Sequence, residues 1–326
     1  MKYSETILVI TDLENVPSVK KQLQQLGHLI YLPDASPAEA LDAVRGVEYI
    51  FTNPNNSKVF IGREMLGAAT KLRAVCTAST GLTHVDVTLA RAQGVEVLSL
   101  TKEMQLLRQL ASTAELALGL TISLLRHLVP AANSVQKGHW DYRKFMGKQV
   151  RNQKIGIVGL GRLGSMYARY VAAMGAEVMV YDPYVTSGDV ETQAYHFCEN
   201  IIEMFESCDV ISLHAHANEE TKNIINPAVL AVAKEHLVLI NTARGELVDE
   251  QALIKFLNAN PKACYGADVV SDETLGGASS PIVQMSLNSS RVIVTPHIGG
   301  MTLDGQALAY AHAAKMLARF VEVNQM

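Results

Sequence analysis

The sequence predicts an α/β protein built from two doubly wound parallel sheets, and three observations carry that prediction. Short apolar runs alternate with helix-length segments from the N-terminus to about residue 98. A second series of the same kind begins at Lys154 and reaches Pro296. A long apolar helix and a polar, aromatic stretch separate the two. The 326 residues suit two domains of ordinary size, or three small ones.

In chain order, residues 7–10 (ILVI) form the first strand. A helical stretch at Val19–Leu26 stops at Gly27, and residues 28–32 (HLIYL) form the next strand. Ser36-Pro-Ala-Glu39 opens a helix with a good N-cap and proline at the first position. Residues 47–53, 72–76 and 95–98 complete the first series. Ser112-Thr-Ala-Glu115 has the spacing of a capping box, so a helix is expected from there to about Val129, where Pro130 should kink or end it. After the stretch KGHWDYRKF (137–145), six strand candidates follow: KIGIVG, AEVMVYD, CDVISLH, HLVLINT, ACYGADVV and RVIVTP. The last segment, Leu303–Val323, is helical with an apolar face at Ala307, Leu308, Ala311, Ala314, Ala318 and Val321. It has no strand of its own and is expected to pack back on the first domain.

Composition excludes several classes. With 28 Lys+Arg against 32 Asp+Glu, the chain has no basic footprint for nucleic acid. At 48% apolar and 18% charged residues it is neither disordered nor low-complexity. The most apolar stretch, Ala114–Ala132, contains Glu115, Arg126 and His127, so it reads as a buried helix and no membrane association is expected. The N-terminal apolar run is too short for a signal peptide. Cys76, Cys198, Cys208 and Cys264 form no CxxC pair and read as reduced core thiols of a cytoplasmic protein. His214 and His216 would share one face of a strand, but further ligands are missing and no metal is expected.

The strongest motif is Gly159-Leu-Gly161-Arg-Leu-Gly164, between the strand IGIV (155–158) and a helix. The first glycine allows a tight turn, the second lets backbone approach a pyrophosphate, and the third lets helix and strand pack closely. The helix N-terminus then offers free N–H groups and a positive dipole end to phosphate. Asp182 ends the next strand, 18 residues after Gly164. A carboxylate there accepts from adenosine ribose hydroxyls and repels a 2′-phosphate, which favours NAD over NADP.

Three later strands end in chemically competent residues: Asn241-Thr-Ala-Arg244, Gly266-Ala-Asp268 through Glu273, and Thr295-Pro-His297-Ile-Gly-Gly300. Ligands of open α/β sheets bind outside the carboxyl ends of strands, so these three would converge near the nicotinamide. Hydroxy-acid oxidation needs a guanidinium for the carboxylate, a base of near-neutral pKa for the hydroxyl, and a carboxylate to hold that base. Arg244, His297 and Glu273 fit these needs, and Asp268 could meet the nicotinamide end of the cofactor.

These residues, with Ser79-Thr-Gly81-Leu-Thr-His-Val-Asp86 and Tyr181-Asp-Pro183, resemble the D-isomer-specific 2-hydroxyacid dehydrogenase family, and within it most the D-3-phosphoglycerate dehydrogenases. The resemblance covers nearly the whole chain. It implies a Rossmann NAD-binding domain at 106–298 inserted into a flavodoxin-like substrate domain at 1–105 and 299–326. It also implies that Arg244 binds the substrate carboxylate and carbonyl, and that His297, paired with Glu273, is the acid/base. Gly159, Gly161, Arg162, Leu163 and Gly164 would hold the pyrophosphate and Asp182 the adenosine ribose. Thr80, Ala215, Thr242, Ala243, Asp268 and Gly300 would line NAD, and Ser79, Thr80 and Gly81 would meet the substrate. A homodimer joined through the nucleotide domains and the long helix is implied as well. The chain departs from the family pattern at Thr274, where proline usually follows the glutamate, and at His214-Ala-His216, where His-x-Pro is frequent. A phosphorylated substrate would call on Lys58 and Arg63. Glyoxylate, hydroxypyruvate and bulkier 2-keto acids stay open, as does a non-catalytic NADH-sensing protein on the same fold.

Overall fold

A computed structural model describes residues 5–54, 57–185, 195–271, 273 and 277–324. The chain forms two compact units, Met1–Leu110 with Met301–Met326, and Ala111–Gly300. The changeovers fall at 110/111 and 300/301, where the sequence reading expects 105/106 and 298/299. The first falls later because Leu106 and Leu107 are buried in the first unit's core.

The first unit contains β1 (Thr6–Val9), α1 (Pro17–Leu26), β2 (His28–Tyr31), α2 (Pro37–Ala43), β3 (Tyr49–Thr52), α3 (Arg63–Ala68), β4 (Ala74–Thr77), α4 (Val87–Ala92), β5 (Glu96–Leu98) and α5 (Met104–Leu107). Its five strands are all parallel, in the order β2-β1-β3-β4-β5. That order is flavodoxin-like. Helices cover both faces, so the strands send apolar side chains both ways: Ile7, Val9, Tyr49 and Phe51 face one core, Leu8, Ile50 and Val75 the other. Both halves of a capping box are present at α2, where Ser36 accepts from Glu39 N–H and Glu39 accepts from Ser36 N–H.

The second unit contains α6 (Ser112–Leu125), α7 (Leu128–Gln136), β6 (Lys154–Val158), α8 (Arg162–Ala173), β7 (Glu177–Tyr181), β8 (His196–Phe197), α9 (Ile201–Ser207), β9 (Val210–Leu213), α10 (Pro227–Ala231), β10 (Val238–Asn241), α11 (Glu250–Ala259), β11 (Cys264–Ala267), α12 (Pro281–Asn288) and β12 (Val292–Val294). Seven parallel strands run β12-β11-β10-β9-β6-β7-β8. The chain starts mid-sheet at β6, winds outward through β7 and β8, then returns to the other side at β9. This is Rossmann topology, with its switch point between β6 and β9. Finally α13 (Leu303–Val323) returns to the first unit, where Tyr310 Oη lies 2.8 Å from Thr11 Oγ1.

Several details differ from the sequence reading. No side chain caps α6, because Ala111 is already near-helical (φ −97°, ψ −13°) and takes the N-cap position, leaving Ser112 inside the helix. The helix breaks at Arg126 and His127, the latter left-handed at φ 52°, and not at Pro130. Pro130 falls in the first turn of α7, where a missing N–H costs no intrahelical bond. The edge strand β8 was not anticipated, because two residues leave no readable run. His214 and His216 lie beyond the end of β9, so they share no strand face. The buried stripe of α13 is Ala309, Tyr310, Ala313, Ala314, Leu317 and Val321; the helix is apolar on more than one side, and the stripe with the larger side chains faces the core. All four cysteines are free and buried. Among the described residues no single helix is long and apolar enough to cross a membrane, and no group of three His, Cys, Asp or Glu could hold a metal.

Candidate active site

The second unit's site begins at the switch point. Gly159 follows β6 at φ +90°, and a Cβ there would sit 2.8 Å from Ala215 N, just past β9. The turn therefore needs glycine for both its dihedral and its close approach. A side chain at Gly164 would collide with the Gly159 carbonyl, whereas one at Gly161 would meet open space. No side chain caps α8, whose N-cap is Gly161. The open side of the loop thus presents an uncapped helix N-terminus, which suits a pyrophosphate. Arg162 and Leu163 follow directly, both half-buried. Asp182 Oδ2 accepts from Leu160 N–H at 2.7 Å and Oδ1 from Tyr184 N–H at 2.9 Å. The carboxylate braces the loop and keeps further lone pairs for ribose hydroxyls. His214 lies 2.9 Å from Ser212 Oγ and against the Tyr167 ring, while His216 is exposed. Thr242, after β10, has a buried hydroxyl with no partner among the described residues, a polar atom positioned for a ligand. A dinucleotide fits this set, which Gly159–Gly164, Asp182 and Thr242 would hold.

The chemistry-bearing residues stand at the ends of three adjacent strands, β10, β11 and β12. Asn241 ends β10 and braces the turn to Arg244: its Nδ2 donates to Arg244 O at 2.8 Å and its Oδ1 accepts from Ala243 N–H. Arg244 Nη1 donates to Ala243 O at 2.6 Å, leaving the rest of its planar fork free of that carbonyl. At Gly245 any side chain would run into the Val270 backbone, so glycine lets the loop after β11 close on the turn after β10. In that loop Glu273 Oε1 accepts from Val270 N–H at 3.0 Å. Glu250 holds the same loop by accepting from Ser271 N–H and Ser280 Oγ.

Glu273 Oε2 lies 2.7 Å from His297 Nδ1. The carboxylate fixes the tautomer, with the proton on Nδ1 and Nε2 free for exchange. The hydrogen bond to Glu273 raises the His297 pKa; burial opposes it, the charges of Glu273 and Asp268 add to it, and Arg244 lowers it. Burial raises Glu273, but the His297 hydrogen bond and charge, Val270 N–H and Arg244 outweigh it, so its pKa falls. His297 has a left-handed backbone at φ 54°, a costly state for a side-chain-bearing residue. Asp268, only 2% exposed, over-determines that turn. Its carboxylate accepts from Thr295 Oγ1 at 2.5 Å, Ile298 N–H at 2.8 Å and Gly299 N–H at 2.7 Å, and its carbonyl from His297 N–H. Burial raises the Asp268 pKa against these bonds. Gly300, exposed, ends the unit.

Sequence reading had not assigned Asp268 this bracing task, nor found Asn241 or Glu250 as braces. Asn241 carried one usable signal: a short polar side chain at a strand end is a turn-former. Thr274, where the chain departs from the family pattern, lies outside the described residues.

In the first unit, Ser79, Thr80 and Gly81 follow β4, and their N–H groups make no hydrogen bond to any described residue. Lys58 and Arg63 are exposed.

Comparison with known proteins shows the family. The model of the D-isomer specific 2-hydroxyacid dehydrogenase, NAD binding domain, matches residues 118–299. The chain belongs to that family. It is 26% identical over 312 residues to a D-3-phosphoglycerate dehydrogenase of Methanocaldococcus jannaschii, covering 96% of this chain and 57% of that protein. It is 30% identical over 243 residues to a hydroxypyruvate reductase of Thermotoga maritima, covering 74% and 76%. The crystal structure of an Aquifex aeolicus D-lactate dehydrogenase with NAD and lactic acid shares the fold, at TM-score 0.82 and 24% identity over 98% and 96% of the two chains. The chain spans about half the length of the phosphoglycerate dehydrogenases it matches.

Proposed function

We propose that the chain interconverts a D-2-hydroxy acid and its 2-keto acid with NAD as hydride carrier. The single observation that carries this is the Glu273–His297 pair beside Arg244 at the carboxyl edge of a dinucleotide fold. In reduction, Arg244 binds the carboxylate and polarises the carbonyl, and NADH supplies the hydride. His297, charged, gives its Nε2 proton to the developing alkoxide, while Glu273 stabilises the imidazolium. In oxidation the neutral ring takes the proton back at Nε2. The free N–H groups of Ser79–Gly81 suit an anionic group of the acid, which supports a substrate-binding role for the first unit.

The test is NADH oxidation with 3-phosphohydroxypyruvate, hydroxypyruvate, glyoxylate and pyruvate at equal concentration. Turnover of at least one supports the reading. Preference for the phosphorylated acid directs attention to Lys58 and Arg63, and preference for another replaces the substrate but keeps the site. NADH binding without turnover of any excludes these four substrates and leaves a bulkier 2-keto acid or a sensing protein, which a panel of bulkier acids separates; silence there as well overturns the reading.

Two further readings belong here. The exposed apolar residues Leu128, Val129, Val135, Trp140, Tyr142 and Met146 all belong to one stretch of chain, 128–146, which a second copy could cover, so we infer a homodimer, measured by sedimentation. Four free thiols suit a reducing compartment, in line with a cytoplasmic location.

A further inference from the structure

We propose that His84 is a positioning residue that orients the Ser79–Gly81 loop through a one-way hydrogen-bond relay, a proposal that rests on the reading that this loop receives the acid. The relay's direction follows from proton counting. The Gly81 carbonyl can only accept, so Ser79 Oγ, at 2.7 Å, donates to it. Ser79 has then spent its proton and must accept from Thr77 Oγ1, 2.9 Å away. Thr77 in turn has spent its own and must accept from His84 Nε2, 3.0 Å away. His84 is therefore the Nε2–H tautomer. Its Nδ1 is bare, buried and without a partner among the described residues.

The relay joins two rigid anchors to the loop. Thr77 is the last residue of β4, fully buried and in register with Thr52 of β3. His84 is held by its own backbone, since Ile61 N–H donates to His84 O and Asp86 N–H to Ile61 O. Two further bonds tie the loop from the other side: Leu100 N–H donates to Ser79 O and Thr101 Oγ1 to Thr80 O. With the carbonyls of Ser79, Thr80 and Gly81 all engaged, the three adjacent N–H groups are left for an incoming anion. Burial lowers the His84 pKa to about 4, because the charged ring would lose its hydration. The relay keeps one polarity across the neutral range.

Four single variants of the full chain test this: Thr77→Val and His84→Leu, which cut the relay, and Thr77→Ser and His84→Gln, which keep a donor and acceptor in place. On the best keto acid, each cutting variant should raise KM about tenfold, with kcat within about twofold and NADH Kd unchanged. The double cut should be no worse than either single cut, since both break one chain. Thr77→Ser and His84→Gln should recover most of the loss. Unchanged KM in the cutting variants overturns the proposal while the enzyme reading stands. Equal falls in kcat, NADH affinity and Tm overturn it as well, since they mark a general structural role. Nitrogen-15 NMR of the histidines gives a readout independent of turnover. Nε2–H with a bare Nδ1 at neutral pH is expected, and a proton on Nδ1 overturns the relay even if no keto acid is turned over.

Discussion

The two sheets follow one plan and differ at their carboxyl edges. In the first unit the segment after β4 is neutral: hydroxyls, an uncharged histidine and backbone N–H groups, oriented by Thr77, Ser79 and His84. In the second the edge is ionic: Arg244, Glu273, His297 and Asp268, with both acids' pKa values displaced. A neutral edge can place an anion but cannot exchange a proton with it. A charged, partly buried edge can do both, and must be braced, because each charge is costly unless paired. The difference teaches where mutations should alter chemistry and where they should alter placement alone.

The largest effect should come from His297→Asn, which removes the exchanging proton proposed for the charged edge. A loss in kcat of about 10² to 10⁴ is expected, as for general acid–base groups elsewhere. Turnover within about twofold of wild type would remove the distinction between the edges. Next, Arg244→Ala should lower kcat/KM about 10- to 100-fold, the range for a charge-assisted hydrogen bond. Steady-state kinetics measure both.

Glu273→Gln should move a pH profile as well as lower a rate. The proposed reduction needs charged His297, whose pKa is raised first of all by the Glu273 hydrogen bond. Activity in reduction is therefore present at low pH and lost as pH rises through that raised value. Without Glu273 the midpoint should shift to lower pH, read from kcat/KM against pH. An unmoved midpoint would assign the tuning elsewhere. The smallest effect should follow Asp182→Ala, which narrows the preference for NADH over NADPH and weakens NADH modestly through the lost bond to Leu160 N–H. Dissociation constants for both cofactors test it.

Much of this arrangement was legible in the chain. Parallel strands buried on both faces leave continuous apolar runs, and ILVI or VLIN stands out against its polar surroundings. Strand ends that carry Arg244, Asp268 and His297 were visible because such residues are conspicuous after apolar runs. What stayed hidden was partnership across the fold. That Asp268 braces residues 295–299 depends on β11 lying beside β12, a tertiary fact with no local trace. The break before α7 was misplaced because Pro130 is the stronger local signal, yet a left-handed His127 makes the turn. Ser112 has the letters of a cap but follows a residue already turning helically, which no spacing rule reports.

The sole tryptophan bears on how this molecule can be watched. Trp140 is 90% exposed, whereas Tyr49, Tyr167, Tyr265 and Tyr310 are fully buried. Indole emission should already resemble that of a solvated dye in the native monomer and change little when either core melts. A denaturation curve followed by tryptophan light would then miss the unfolding of both sheets. Near-ultraviolet dichroism of the tyrosines would record it, and the indole would instead report whatever comes to rest on the surface around residue 140.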